Sequence, residues 1–479
     1  MQTNERPITV VQLPDRLKFN PHIFRMYDIR GDVDKDVTEE LVTQVARAFG
    51  TYLRQIYNVL PAVAVGRDNR VSSSRLHSAA CQGLMDSGCD VIDIGLSTTP
   101  LLCYSINDWQ LDGGVNITGS HNPGSQNGLK LESRNSYPVA EYDIQYIRKI
   151  IENRSFARGH GKFSSACPSE DYLSRLGQIV HMNRPLKVVI DAGNGIAGLL
   201  APGLIERLGC TVVPLFCDPD DSFPNHWPNP EDPANMRQLQ NTVREEKADV
   251  GFAFDGDGDR LGVVNEKGDL FNNDYLIILL ARDLLKRHPG ERILIDIKSS
   301  QNVIEDIYIH GGEPVLWKTG HSLIRRKMLR EDILLAGEFS GHIFPAEDYY
   351  PISDALLASL RVMQVLSGEE RPLSGLLNNL KPLYSTSLIE LACPDHCKFD
   401  IVERVKKSLA RHYNVITVDG VRVSLPHGWA LIRASNTSES LTLRFEADSR
   451  HRLEEIQSIV YHRLEEFPFL NIAKRRIAA

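Results

Sequence analysis

A chain of 479 residues, 42% hydrophobic, 24% charged and 7% aromatic, is too long for one core. Its composition is that of an ordinary soluble globular protein, with about three domains as the first expectation. A net charge of −8 argues against nucleic acid or an anionic membrane as the main partner, so an anionic ligand must be met by a local cluster of basic groups.

The N-terminus shows no basic stretch followed by an apolar core, so no secretory signal is expected. The longest apolar runs, such as YLIILLA (275–281), fall far short of the ~20 residues that span a bilayer. Eight scattered cysteines fit structural thiols in a reducing cytoplasm. Only Cys393 and Cys397, in CPDHC, are close, and no second pair completes a zinc site.

Short β-rich apolar runs punctuate the first half: AVAVGRD (62–68), CDVIDIG (89–95), LKVVIDAG (186–193), TVVPLF (211–216) and ADVGFAF (248–254). Amphipathic helical stretches lie between them. Near-continuous apolar strands alternating with helices predict mostly parallel sheets covered on both faces. Ligands in such sheets sit beyond the carboxyl ends of strands, where GRD, DAGNG and DGDGD fall. Boundaries are expected within residues 154–171, just after Val264, and within 367–387. The last ~95 residues read as a separate α+β domain, with strands in VITVDGVRVSL, WALIRASN and LTLRFEA and a helix in RLEEIQSIVYHRLEEF. No sequence repeat is visible.

Taken in chain order, the chemistry-bearing motifs begin with MYDIRG, which supplies Arg30. NITGSHNPGSQNGLK (116–130) is a loop holding Ser120 between Gly119 and His121, with Lys130 further on. It is good turn chemistry, and no Asp–His partner for a hydrolase triad is legible. A serine that carries a phosphoryl group needs instead a metal and cations to stabilise the moving charge. GNGIAG (193–198) is a literal G-x-G-x-x-G between a strand and a helix, with Asp218 and Asp220 after it. An NAD-dependent dehydrogenase is therefore the rival reading, and close helix–strand packing the plain one.

FAFDGDGDRLGVV (252–264) sets Asp255, Asp257 and Asp259 at alternate positions. An EF-hand would add Glu266, but Arg260 stands where the sharp turn needs Gly, and strands rather than helices flank the loop. Three carboxylates converging on a hard cation fit Mg²⁺, and Arg260 beside it points to a phosphoryl group. WKTGHS adds His321. GEFSGH (337–342) sets Glu338 and Ser340 two apart, able to face the same way toward vicinal sugar hydroxyls. RASNTSES (433–440) offers Arg433, the Ser435 and Thr437 hydroxyls and backbone N–H groups as a phosphate cradle. Each of the last two is otherwise a polar strand-end turn.

In this order FRMYDIRG, VGRDNRVSS, TGSHNPGSQNGLK, DAGNG, FDGDGDR, KTGHS, GEFSGH and RASNTSESLTLRFEA resemble the α-D-phosphohexomutase family, most closely its phosphomannomutase/phosphoglucomutase branch. The resemblance implies three similar mixed, mostly parallel α/β domains plus a C-terminal α+β domain around a central active-site cleft. They are drawn here as residues 1–165 with a phosphoserine loop, 166–268 with a metal-binding loop, 269–382 with a sugar-recognition loop and 383–479 with a phosphate-binding loop.

By the same resemblance the chain interconverts hexose 1-phosphate and hexose 6-phosphate through a hexose 1,6-bisphosphate. Ser120 is the phosphoserine, and Asp255, Asp257 and Asp259 bind Mg²⁺ together with it. Arg30, His121, Lys130, Arg260 and His321 form the catalytic set. Tyr27, Lys298, Glu338, Ser340, His342, Arg433, Ser435, Asn436 and Thr437 contact the substrate. The implied partners are small sugar phosphates, with no nucleic acid or membrane, for a cytoplasmic monomer or weak homo-oligomer. The chain departs from the family pattern at Gly119, where alanine is commonest in other branches, at Phe339, and in PAEDYYPISDALLAS (345–359). Mannose, glucose and glucosamine therefore all stay open as the sugar, phosphoglucosamine mutase being the alternative within the family.

Overall fold

The computed structural model describes residues 10–11, 19–435 and 438–470. The apolar runs form strands as their composition requires. Gly113–Ile117 and Val250–Phe254 are buried along their whole length, which only sheets covered on both faces allow.

Three sheets share one strand order. In the first, Asp90–Leu96, Ala62–Arg67 and Gly113–Ile117 run parallel in that spatial order, and Gln126–Ser133 returns antiparallel beside the last. The second repeats it with Thr211–Leu215, Lys187–Asp191, Val250–Phe254 and the antiparallel Leu261–Asn265. The third does so with Glu313–Trp317, Arg292–Asp296, Leu335–Gly337 and the antiparallel Ile343–Pro345. Numbered along the chain, each is ordered second–first–third–fourth. The fourth sheet is antiparallel throughout, with Gly428–Ala434 and Ser440–Ala447 at its centre. The turn joining third to fourth strand therefore lies at residues 118–125, 255–260 and 338–342, and the two central strands of the last sheet are bounded by Ala434 and Ser440 where they connect.

One boundary departs from the sequence reading. Leu270–Phe271 still pairs with Leu261–Asn265, so the second sheet continues past residue 268. Within 367–387, where a boundary is expected, Leu373, Leu376 and Leu377 are buried in a core shared by the second and third sheets. The helix Ala355–Ser367 belongs to that core and is buried on nearly every side, as its predominantly apolar sequence requires. The first and fourth sheets keep cores of their own. Among the described residues no helix is long and apolar enough to cross a membrane.

Candidate active site

Ser120 stands in the first of these turns with φ 51°, in the left-handed region, and is 2% exposed. That conformation costs an L-residue ~1 kcal/mol or more and persists only where its surroundings impose it. Arg70 imposes it. Its guanidinium donates to the carbonyls of Ser120 (2.7 Å), Asn122 (2.7 Å), Pro123 (2.8 Å) and Gln126 (3.0 Å), and its Nε donates to Asp68 (3.0 Å). Asp68 in turn accepts from the Thr118 hydroxyl (2.8 Å) and the Gly119 N–H (3.1 Å). From the second domain the Trp227 indole donates to the His121 carbonyl (2.9 Å), and its ring lies 5.1 Å from the Arg70 Cζ. Gly119 has a reason to depart from the family pattern here, since a Cβ on it would sit 2.4 Å from that same Cζ.

The Ser120 Oγ donates to Asp255 Oδ2 at 3.0 Å, across 135 residues of sequence. Asp255, Asp257 and Asp259 are all essentially inaccessible, and each offers an oxygen within 4.8 Å of the others. The loop is tied to the first domain through Thr99, the first residue of the helix Thr99–Asp108, whose N–H donates to the Asp257 carbonyl (2.9 Å). Lys130 Nζ donates to Asp257 and Asp259, both at 2.6 Å.

One cation does not balance three buried carboxylates. Burial, then Asp259 and Asp257, push Asp255 well above the ordinary carboxylate range. Burial acts the same way on Asp257 and Asp259, but Lys130 together with the Thr99 hydroxyl at Asp257, and with Arg260 and His321 at Asp259, outweighs it and holds both below that range. Asp257 Oδ1 and Asp259 Oδ1 are buried with no hydrogen-bond partner among the described residues. Two orphaned carboxylate oxygens beside a serine hydroxyl fit a hard divalent ion and would be costly without one. The EF-hand arrangement is excluded, because Glu266 is taken by the Ser374 N–H (3.1 Å).

Around the serine stands a ring of bases and cations. Arg30 is held by Asn122 (2.9 Å) and Asp28 (2.9 Å), leaving its buried Nε without a partner among the described residues. Arg260 donates from Nε to His342 Nε2 (3.1 Å) and pairs with Glu231 (2.6 Å). His342 Nε2 is thus an acceptor, so its proton sits on Nδ1, which faces the Asp259 carbonyl at 3.0 Å. Burial, then Arg260 and Arg30, holds His121 well below an ordinary imidazole, burial and then Arg260 does so for His342, and burial with Lys130 takes His321 down to about 4. All three are neutral at pH 7. Tyr27 packs edge-on against His321 at 5.2 Å, and burial and Asp28 raise its phenol to about 12.

The remaining expected residues meet further along the cleft. Glu338 accepts from the Gly320 N–H and from the Ser340 hydroxyl (3.0 Å), so the two side chains do converge. Lys298 sits 3.3 Å from Asp296. Arg433 is buried and held by Asp419 at 3.1 Å, while Ser435 accepts from the Ser438 hydroxyl at 2.7 Å. Asn436 and Thr437 lie outside the described residues. A cavity of about 440 Å³ opens on Ser120, Arg30 and Lys130, and another of about 230 Å³ on Glu338, Ser340, Lys298, Arg433 and Ser435. Tyr27, His121, Arg260, His321 and His342 line both, so the two are halves of one cleft.

Sequence reasoning missed Asp68, Arg70, Trp227, Asp419 and Glu390, the last a carboxylate lining the outer half of the cleft. Only GRDNR gave a signal, as charged residues at the end of a buried strand. The G-x-G-x-x-G loop is accounted for by packing, since a Cβ on Gly198 would strike the Cys217 carbonyl, and Asn69 of the first domain donates to the Asn194 carbonyl (2.8 Å). The departure at 345–359 is also a packing matter. Tyr349 and Tyr350 stack around Tyr104 at 6.4 and 6.3 Å, away from the cleft.

A phosphoryl-transfer enzyme is the class such a cleft defines, and the comparisons agree with it. The phosphoglucomutase/phosphomannomutase α/β/α domains I, II and III match residues 21–158, 170–268 and 272–384, and the family's C-terminal domain matches 388–462. The chain belongs to the phosphoglucomutase/phosphomannomutase family. It is accordingly an isomerase of hexose phosphates. It is 42% identical over 444 residues to a phosphomannomutase/phosphoglucomutase of Pseudomonas aeruginosa, covering 92% of this chain and 95% of that one. A phosphoglucomutase of Neisseria meningitidis is 38% identical over 441 residues, covering 91% and 95%. The crystal structure of a family protein from Burkholderia thailandensis superposes with a TM-score of 0.88 at 36% identity, over 94% of this chain and 98% of that one.

Proposed function

We propose that the chain moves a phosphoryl group between the 1- and 6-oxygens of mannose and glucose phosphates by way of phosphorylated Ser120. The observation that carries this is the Ser120 hydroxyl bonded to Asp255, beside two unpartnered carboxylate oxygens, at the floor of a cation-lined cleft. Asp255, Asp257 and Asp259, with the seryl phosphate, would hold Mg²⁺, which when bound neutralises phosphate charge. Arg30 and Arg260 face the transferring group, whose charge their planar forks suit. Arg433 and Ser435 grip the phosphate that is not reacting, and Glu338 with Ser340 take sugar hydroxyls. His321 and His121, neutral at pH 7, can accept the proton of the attacking hydroxyl.

A hexose 1,6-bisphosphate forms, turns over within the cleft and returns its other phosphate to Ser120. Hydroxyls at positions 3 and 4 of the sugar would be read and position 2 left unread, so both epimers enter. The same bisphosphate, added in traces, rephosphorylates the serine. The four domains divide near residues 165 and 382 in this reading, with the second-to-third boundary moved from 268 to just after Phe271, and eight unpaired thiols support a cytoplasmic location. The enzyme acts on small sugar phosphates as a monomer or weak homo-oligomer.

The test is a coupled mutase assay on mannose, glucose and glucosamine 1-phosphates, with and without Mg²⁺ and the matching bisphosphate. Turnover of the first two that requires Mg²⁺ is expected, with intact mass showing one phosphoryl group on Ser120. Ser120→Ala should lose this activity; full activity in that variant would end the proposal. Preferred turnover of glucosamine 1-phosphate would favour the alternative within the family.

A further inference from the structure

CPDHC is the one pair of neighbouring cysteines in the sequence, and the proposed reaction does not use it. Cys393 follows directly on the strand Ile389–Ala392 and is 1% exposed, its N–H donating to the Glu439 carbonyl at 2.9 Å. Cys397 lies in the first turn of the helix Asp395–Leu409 and is half-buried. Their sulfurs are 3.9 Å apart, in contact and unbonded. Closing to a disulfide at about 2.05 Å asks for a shift of about 2 Å, within what one loosely capped turn can give.

That turn carries more than a thiol. Lys398 Nζ pairs with Asp395 at 2.6 Å and donates to the Ser438 carbonyl at 2.9 Å. Ser438 in turn donates its N–H (3.2 Å) and its hydroxyl (2.7 Å) to the Ser435 Oγ. Asp395 also lies 3.7 Å from Arg25 of the first domain, on the rim of the inner half of the cleft. Hydrogen bonds and one ion pair thus connect the Cys397 turn to Ser435, two residues from Arg433, and to Arg25 of the first domain.

We propose that Cys393 and Cys397 form a thiol–disulfide switch that weakens the hold of the fourth domain on the substrate's phosphate when oxidised. The oxidant is a peroxide. The more accessible Cys397 sulfur attacks the O–O bond, giving a sulfenic acid and one water. The Cys393 sulfur then displaces the hydroxyl, so that an S–S bond forms as the S–O bond breaks and a second water leaves. Two thiols lose two electrons together, and one peroxide gains them. A dithiol reductant reverses the change.

The dithiol site stands without the mutase reading, whereas its effect on affinity rests on it. The experiment treats the full chain with hydrogen peroxide, blocks remaining thiols and compares it with untreated enzyme. The peptide holding both cysteines should be lighter by two hydrogens. KM for hexose 1-phosphate should rise about fivefold, the worth of one hydrogen bond, with a smaller change in kcat, and dithiothreitol should restore it. Cys397→Ser and Cys393→Ser should match the untreated chain and keep their KM after peroxide. Oxidation confined to the exposed Cys167, a disulfide without change in KM, or an equal KM rise in both variants would overturn the switch. Absence of turnover in the untreated enzyme would instead overturn the mutase reading, and the peptide mass would still decide the disulfide.

Discussion

Single side chains carry the charge balance of the cleft, and Lys130 carries the largest share. It is buried between Asp257 and Asp259, and burial acts to lower its pKa. The carboxylates prevent that and hold its pKa above the ordinary lysine value. Lys130→Met would leave three buried carboxylates with no cation in contact, and breaking a buried pair from one side costs about 3–5 kcal/mol. The melting temperature should fall and recover in part when Mg²⁺ is added. An unchanged melt, with or without Mg²⁺, would show that another group supplies the counter-charge. Arg433 makes a different contribution, since it lies in the outer half of the cleft, far along from the serine. Arg433→Ala should raise KM by the equivalent of roughly 1.5–3 kcal/mol, one charged hydrogen bond, and change kcat less. Steady-state kinetics read this directly, and an unaltered KM would contradict it.

At the level of elements, the sequence made the strands and the functional turns legible because buried parallel strands are almost wholly apolar and the turns after them are not. Ala62–Arg67 and Val250–Phe254 fall within a residue or two of the runs that predicted them. Asp255, Asp257 and Asp259 were legible for the same reason, since no ordinary turn needs three carboxylates so close. Arg70 and Trp227 were not, because their partners are main-chain carbonyls and one ring of another domain, and neither leaves a pattern in sequence. The helix Asp395–Leu409 was missed also, being polar over much of its length with only five fully buried residues to give it a period. The Ser120 turn shows what such hidden partners do. Arg70 is fixed by four carbonyls and Asp68, so it cannot yield to a methyl group on residue 119. Gly119→Ala should cost about 1–3 kcal/mol as an overpacked site. It should also displace Ser120, lowering kcat and the phosphorylated fraction by intact mass while KM stays put. Equal phosphorylation and kcat in that variant would show that the clamp tolerates the methyl.

For the whole molecule, the joint between the first three domains is a buried cluster of tyrosines with Asp354 at its centre. Tyr172 donates to Asp354 at 3.0 Å, and the carboxylate also caps the helix Ala355–Ser367 through the Leu357 N–H (2.9 Å). Burial raises Asp354 to about 6. Between the unfolded value near 3.9 and about 6, the folded chain keeps a proton that the unfolded chain has lost, so stability falls as pH rises through that window. Asp354→Asn carries no such titration. Its melting temperature should gain on that of the parent chain from pH 4 to 6, by up to about 3 kcal/mol in stability, and then stay level. A constant difference across that range would show that Asp354 is ionised throughout. The joint fixes how the sheets face one another, and the shared strand order fixes which end of each sheet faces inward. No sequence likeness marks the three units, yet each delivers its working residues on the same hairpin. The strands below those hairpins are held by apolar cores, whereas the hairpins are held by polar contacts to other parts of the chain. If 338–340 read the sugar and 118–125 with 255–260 carry the transfer, as proposed above, substitutions at 338–340 can change the sugar while the other two hairpins stay as they are. Specificity and catalysis can therefore be inherited separately.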